Sequence, residues 1–196
     1  MRSSVACRAI LAVATIHLLA PSSVSAAPVP PGASLESRGY RKLTTRQGVA
    51  VYKHKDSGEL AAEGLFPGGP EAVLKALLAY ERHGSFNKHI AFSKVLDRGP
   101  GWLLVYQRLK LPVISNRDYT LRVTWGKRAD GSRWLRFSTA AKRGPGPQRG
   151  YVRVNKHRGS WLLVSRPHGR TFARYQVSID LGGWVRVALE WRVLLG

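Results

Sequence analysis

The feature that most constrains this fold is a series of short alternating segments, separated by Gly- and Pro-rich turns. Within each segment apolar and polar side chains alternate, which is the pattern of a half-buried β-strand. The predicted strands cover residues 90–97, 102–110, 118–127, 133–140, 151–157, 161–165 and 170–180. The turns between them include Gly99-Pro100-Gly101, Asp130-Gly131-Ser132, Arg158-Gly159 and Pro167-His168-Gly169. Serial hairpins of this kind predict a meandering antiparallel sheet.

One helix is predicted ahead of this meander, after two short strands at residues 49–55 and 60–66. Pro70 suits the first position of a helix, and Glu71 complements the helix dipole. The apolar stripe consists of Val73, Leu74, Leu77 and Leu78. Gly84 is a plausible end for this helix.

A second helical pattern follows Gly182-Gly183, which breaks the last predicted strand. A curved antiparallel sheet has to bury its concave face, and a helix packed across it leaves a pocket between the two. The sequence therefore predicts an α+β fold with a curved sheet under a terminal helix. The residues expected to cover the pocket as a lid are Trp184, Val187, Ala188 and Trp191. The strand tryptophans expected in the core are Trp102, Trp125, Trp134 and Trp161.

The first residues have the order of a secretory signal. Arg2 and Arg8 form a basic start, residues 10–20 are apolar, and Val24-Ser25-Ala26 offers small residues for cleavage. We therefore expect an exported protein, periplasmic or secreted. We also expect a monomer. The expected divisions are a signal peptide at 1–26, a flexible lead-in at 27–36 and one ligand-binding domain at 37–196.

The charge balance is strongly basic, with 32 Lys and Arg residues against 11 Asp and Glu, a net charge of +21. Such a charge favours an anionic partner. The basic residues are scattered along the sequence, however, and solubility explains them equally well. Export disfavours nucleic acid and favours an anionic membrane surface. A polyanion-binding module is a further alternative, and it would place basic residues together on one face.

Residues that would indicate an enzyme or a metal site do not form a pattern. The histidines His54, His83, His89, His157 and His168 are scattered over different predicted elements. No carboxylate pair and no Gly-rich phosphate loop stands out, and the single cysteine, Cys7, lies in the predicted signal. We predict no catalytic residue, no metal and no cofactor.

The segment 111–123, LPVISNRDYTLRV, places an arginine–aspartate pair at the start of an alternating strand. One face of that strand carries Arg117, Tyr119, Leu121, Val123 and Trp125. This face is mostly apolar and is predicted to line the pocket, where Arg117 would orient a polar head or carboxylate. Alternatively, Arg117 and Asp118 only fix the strand start and its turn. Asp118 points to the other face, to pair with a neighbouring strand's arginine or to cap a turn; Arg153 is either solvated or pocket-facing.

The order of these motifs resembles the START (steroidogenic acute regulatory protein-related lipid transfer) family. The matching stretches include GVAVYKHKDSGELAAEG at 48–64, GPEAVLKALL at 69–78, LKLPVISNRDYTLRV at 109–123 and GRTFARYQVSIDLGGWV at 169–185. The resemblance implies a helix-grip fold that holds a hydrophobic lipid in a tunnel, for non-catalytic binding and transfer. It implies a tunnel wall of Tyr119, Leu121, Val123 and Trp125, and a lid of Trp184, Val187, Ala188 and Trp191. Arg117 is the polar contact.

Two features differ from the family pattern. Some members have a buried acid–arginine pair in the tunnel, and an ungapped match places Leu104 and Val123 at those positions. An apolar tunnel favours acyl chains over sterol-hydroxyl recognition. Arg186 stands near the place of a family proline, and the terminal helix is short. A helix-grip enzyme for a hydrophobic small molecule and a truncated, non-functional relative are the alternatives.

Overall fold

The computed structural model describes residues 34–112 and 114–181. The predicted signal peptide and the predicted lid residues Trp184, Val187, Ala188 and Trp191 lie outside the described residues. Nearly the whole predicted sheet and the first predicted helix lie inside them.

Within the described residues, ten strands form one sheet. They are β1 (Tyr40–Arg46), β2 (Val49–His54), β3 (Leu60–Pro67), β4 (Ile90–Gly99), β5 (Trp102–Leu109), β6 (Asn116–Lys127), β7 (Arg133–Thr139), β8 (Tyr151–Arg153), β9 (Lys156–Arg166) and β10 (Arg170–Asp180). Their order is β1-β2-β3-β10-β9-β7-β6-β5-β4, and each pair of neighbours in this order is antiparallel. The short strand β8 pairs in parallel with the start of β6. The two edge strands, β1 and β4, have irregular register: one shift in β1 and two in β4.

The helix α1 spans Pro70–Leu78, with Gly69 as its N-cap residue. Pro70 occupies the start of the helix as the sequence predicts, and the buried residues are Val73, Leu74 and Leu77. The helix ends earlier than predicted, since Ala79 leaves the helical conformation and a 3₁₀ helix follows at Tyr80–Ser85. Two other short 3₁₀ helices are Glu36–Arg38 and Ala141–Arg143.

The core lies on one face of the sheet, where α1 packs against β7, β9 and β10. We call this the inner face and the opposite one the outer face. The inner-face core includes Leu103, Val105, Leu121, Val123, Leu135 and Leu163, all buried. A smaller cluster of Leu35, Tyr40, Tyr52 and Ala61 lies apart from this core.

Three details of the predicted strands are wrong. Strand β1 was not predicted. The predicted strand 151–157 is divided between β8, which pairs in parallel with β6, and the start of β9. Arg158-Gly159 is not a turn, because β9 runs without a break from Lys156 to Arg166. A Cβ atom on Gly159 would lie 2.4 Å from the carbonyl oxygen of Gln176 and 2.4 Å from the ring of Phe137. Glycine is therefore needed at this position for close packing and not for a turn.

Candidate functional site

The inner face of β6 carries the residues that the sequence predicts as a pocket wall. Register places Val123 opposite Leu103, Leu121 opposite Val105 and Tyr119 opposite Gln107. Tyr119, Leu121 and Val123 are buried in the core, and Trp125 is half-buried against it. The predicted alternation thus holds along this strand, and the four predicted wall residues share one face. Their contact with a ligand stays a prediction.

Arg117 lies at the start of the same row and is only 2% exposed. Its Nε donates a hydrogen bond to the carbonyl of Leu181 at 3.0 Å, and its Nη1 donates to the carbonyl of Ser115. Burial lowers the pKa of this guanidinium. These contacts tie the start of β6 to the residue that follows β10. They agree with the alternative in which Arg117 and Asp118 fix the start of the strand. A ligand contact for Arg117 remains a prediction.

Asp118 lies on the outer face and is the centre of a polar network. Arg153 on β8 donates to both carboxylate oxygens, from Nε at 2.7 Å and from Nη2 at 2.8 Å. The hydroxyl of Tyr106 donates to the same carboxylate at 2.8 Å. Arg153 also donates to the carbonyls of Pro145 and Gly146, at 3.0 and 2.9 Å. Asp118 therefore pairs with a neighbouring strand's arginine, and Arg153 is neither solvated nor pocket-facing.

Neutral polar groups interrupt the apolar inner face, and of these only Tyr119 was predicted to lie there. The Tyr119 hydroxyl donates to Gln107 Oε1 at 2.9 Å, and Gln107 Nε2 donates to Ser93 Oγ at 2.9 Å. Burial raises the pKa values of Tyr80, Tyr119 and Tyr175 above the ordinary tyrosine value. For Tyr80 and Tyr175, repulsion from neighbouring tyrosine oxygens adds a smaller rise. These hydroxyls stay neutral and can serve as hydrogen-bonding groups.

His157 contributes a second kind of polar group to the inner face. Its ring makes edge-on contacts with Tyr119 and Phe137, with ring centroids 4.8 and 5.1 Å apart. Its Nδ1 is buried and has no hydrogen-bond partner among residues 34–112 and 114–181. Burial lowers the pKa of His157 to about 4, so the ring is neutral at neutral pH. The sequence carries one signal for this position. His157 lies an even number of residues from Trp161 and Leu163 on β9, so alternation along the strand places all three on the same face.

Across the described residues, no cluster of three or more His, Cys, Asp or Glu side chains has an arrangement that could hold a metal ion. No helix formed by those residues has the length and apolar character needed to cross a bilayer.

Solved structures identify the architecture. No family model and no curated protein matches this sequence. The STAR-related lipid transfer protein of Xanthomonas axonopodis has a TM-score of 0.72 and 23% identity, over 80% of this chain and 90% of that chain. Human STARD10 has a TM-score of 0.69 and 16% identity, over 80% of this chain and 65% of that one. Human StAR-related lipid transfer protein 5 has a TM-score of 0.64 and 17% identity, over 78% and 79%.

The chain folds as a START-like domain. The α+β helix-grip architecture expected from the sequence is thereby confirmed. In these neighbours the likeness extends over most of the present chain.

One residue match to START proteins is wrong. The sequence match placed Leu104 and Val123 at the positions of an acid–arginine pair that lies in the tunnel of some START proteins. In this structure the two residues lie on opposite faces of the sheet. Leu104 pairs with Arg122 and is not part of the inner-face core, whereas Val123 is fully buried within it. The inner-face residues of β5 beside Val123 are Leu103 and Val105. Since both are apolar, this part of the START-like domain still offers no charged pair.

The buried histidines predict a loss of stability in mild acid. Burial lowers the pKa values of His83 and His157 to about 4, while in the unfolded chain both keep ordinary values near 6.5. The unfolded state therefore binds protons first as the pH falls. The stabilisation is complete above about pH 6.5 and is lost progressively towards about pH 4. We expect the free energy of unfolding to drop by about 2 kcal/mol per histidine between pH 7 and pH 5.

Urea unfolding at the two pH values measures this drop, and His157→Phe provides the comparison. The variant should lose about half of the pH dependence, since His83 still titrates through its own burial. A pH dependence that is the same in both proteins would contradict the assignment to His157.

Proposed function

We propose that this START-like domain binds a lipid-like hydrophobic ligand on the inner face of its sheet and transfers it without covalent chemistry. The observation that supports the proposal most is the apolar wall in a START-like fold. From Leu103 to Leu109 on β5, and from Tyr119 to Trp125 on β6, every inner-facing side chain is uncharged. Two structural neighbours are named as lipid transfer proteins.

An apolar wall favours a ligand with long hydrocarbon segments. Each buried methylene contributes about 0.8 kcal/mol, so affinity should rise with chain length. Charged groups are disfavoured beside Leu121 and Val123, since no countercharge faces them from β5 or β6.

The neutral polar groups favour a head group that is polar but uncharged. His157 Nδ1 is buried without a partner among the described residues, and it lies beside the ring of Tyr119. A ligand hydroxyl or carbonyl could satisfy this nitrogen in the appropriate tautomer. The proposed ligand is therefore a neutral lipid, with His157 as its polar contact. A ligand that carries a carboxylate would instead contact Arg117.

A catalytic role for His157 is less consistent with its environment. A general base works best when its pKa lies near the working pH, and burial holds the pKa of His157 at about 4. No carboxylate is paired with its ring among the described hydrogen bonds. This supports ligand binding over the helix-grip enzyme alternative.

Native mass spectrometry of residues 27–196, purified from a bacterial host without detergent, tests ligand binding directly. We expect a discrete added mass that dissociates as a lipid. A folded protein that stays unliganded, even after incubation with a total lipid extract, would count against the proposal.

The role of His157 predicts a change in selectivity. In His157→Phe, binding of 1-hexadecanol relative to hexadecane should fall about fivefold, because one hydrogen bond contributes about 1 kcal/mol. Displacement of a fluorescent hydrophobic probe by each compound gives the ratio. His168→Asn, outside the inner face, is the control and should leave the ratio unchanged. An equal ratio in wild type and His157→Phe would place the polar contact elsewhere.

A further inference from the structure

The outer face of the sheet carries a second candidate binding surface, on the side opposite the proposed inner-face ligand. It is a groove of about 550 Å³ that crosses β6, β7, β9 and β10. At about 4.8 Å between strands, these four strands span about 14 Å. Two rows of paired residues form its floor: Arg122, Ser138 and Arg158 in one, and Thr124, Arg136, Ser160 and Gln176 in the other.

The groove carries an excess of positive charge. Its basic lining residues are Arg38, Arg122, Arg136 and Arg158, and its one acidic lining residue is Glu59. Glu59 already accepts hydrogen bonds from the Tyr40 hydroxyl and from Gln176 Nε2.

The groove arginines differ from other arginines of the sheet. Arg133, Arg143, Arg153 and Arg174 each form an ion pair with an acidic residue. In the part of the chain that the structure describes, no ion pair or side-chain hydrogen bond is made by any of the four groove arginines. Three of them, Arg38, Arg136 and Arg158, are exposed, so their guanidinium groups are accessible to a ligand.

Two of these arginines are held in place by tryptophans. The guanidinium of Arg122 lies 4.6 Å from the ring centroid of Trp102. The guanidinium of Arg136 lies 5.3 Å from the ring centroid of Trp134. Stacking of this kind restricts the side chain but leaves its N–H groups free to donate to an anion. A preorganised arginine loses less entropy on binding, which favours affinity.

Glycines explain why these tryptophans lie against the outer face. A Cβ atom on Gly99 would lie 2.5 Å from the indole of Trp102, and one on Gly126 would lie 2.9 Å from that of Trp134. Each indole therefore rests against a glycine and also stacks with an arginine. Core packing, the expectation for all four strand tryptophans, holds for Trp125 and Trp161 and is wrong for Trp102 and Trp134.

We infer that this outer groove binds a linear polyphosphate chain. Guanidinium groups and hydroxyls are the usual partners of phosphate oxygens, and the floor supplies both, the hydroxyls coming from Thr124, Ser138 and Ser160. A groove that extends about 14 Å across four strands and is only two residue rows wide fits a chain better than a flat bilayer. Single-stranded nucleic acid is disfavoured, because its bases stack on open aromatic faces and both indoles are already occupied. The inference does not depend on the inner-face ligand.

Isothermal titration with medium-chain inorganic polyphosphate, across a series of salt concentrations, tests the inference. The double variant Arg136→Gln/Arg158→Gln should lose at least tenfold in affinity, and the salt dependence should fall by about one per lost phosphate contact. The matched control, Arg41→Gln/Arg46→Gln, removes the same charge from exposed positions of β1, outside the groove. It should stay within about twofold of wild type, because only long-range attraction is lost.

Three outcomes would overturn the inference. An equal loss in both double variants would show diffuse charge attraction without a site. Equal affinity for inorganic monophosphate would show an isolated phosphate site without chain recognition. Binding to phosphatidylglycerol vesicles but not to polyphosphate, lost in Arg136→Gln/Arg158→Gln, would assign the groove to a membrane surface. Thermal unfolding of each variant confirms that the fold is retained.

Discussion

Asp118→Asn is expected to lower the free energy of unfolding by about 3 kcal/mol or more. The carboxylate is 1% exposed, and its partner Arg153 is 18% exposed, so the variant leaves a largely buried guanidinium without its countercharge. The hydroxyl of Tyr106 also loses its charged acceptor. Because Arg153 joins β8 to β6 and to the carbonyls of Pro145 and Gly146, the damage should extend through this part of the outer face.

Urea unfolding followed by circular dichroism gives this change, and Asp97→Asn is the matched control. Asp97 lies 3.7 Å from Arg143, and both side chains are about half exposed. Solvent screens such a pair, so the control should change the free energy of unfolding by less than about 1 kcal/mol. The double variant Asp118→Leu/Arg153→Met should be less destabilised than Asp118→Asn, since it leaves no unpaired buried charge. Similar losses in Asp118→Asn and Asp97→Asn would contradict this account.

Gly144→Ala should destabilise the domain by about 1–3 kcal/mol through overpacking. A Cβ atom at this position would lie 1.8 Å from Oγ1 of Thr120 and 2.7 Å from its Cβ. Thr120 is fully buried in β6, so a shift of its side chain would disturb the packing around it. The substitution therefore has to displace the segment that follows Gly144, including the carbonyls that receive hydrogen bonds from Arg153.

Gly146→Ala, two residues further on, separates this steric effect from the general effect of losing a glycine. Nothing lies within 4 Å of a Cβ atom at Gly146. Alanine there restricts the unfolded chain, so the free energy of unfolding should stay the same or rise by up to about 1 kcal/mol. Thermal melts of both variants under identical conditions compare them. Equal destabilisation would mean that the segment depends on glycine flexibility at both positions.

The inner face of β6 is predictable from local sequence. Side chains alternate along any strand, so the shared face of Tyr119, Leu121 and Val123 follows from the sequence alone. The partner of Asp118 was left open, because it depends on β8 returning to pair in parallel with β6. Gly159 was misread for the same reason: the ring of Phe137 and the carbonyl of Gln176 come from other strands.

The two candidate binding surfaces were not equally predictable. The inner-face wall was predicted from one strand, whereas His157 was dismissed as one of several scattered histidines. The arginines of the outer groove also appear scattered in sequence. They come together because β6, β7 and β9 pair in a register that puts Arg122, Arg136 and Arg158 on the same face. Such a cluster requires the strand pairing, which period-two alternation does not specify.

The irregular register of the two edge strands bears on how this sheet avoids aggregation. Strand edges expose unpaired N–H and C=O groups that can template the addition of another chain. In β1 the shift lies between Lys42 and Thr44, and in β4 one shift lies between Val95 and Asp97. Exposed charges flank both interruptions, from Arg41 and Lys42 on β1 and from Lys94 and Arg98 on β4. Both edges are thereby kinked and charged, which disfavours amyloid-like stacking at high protein concentration.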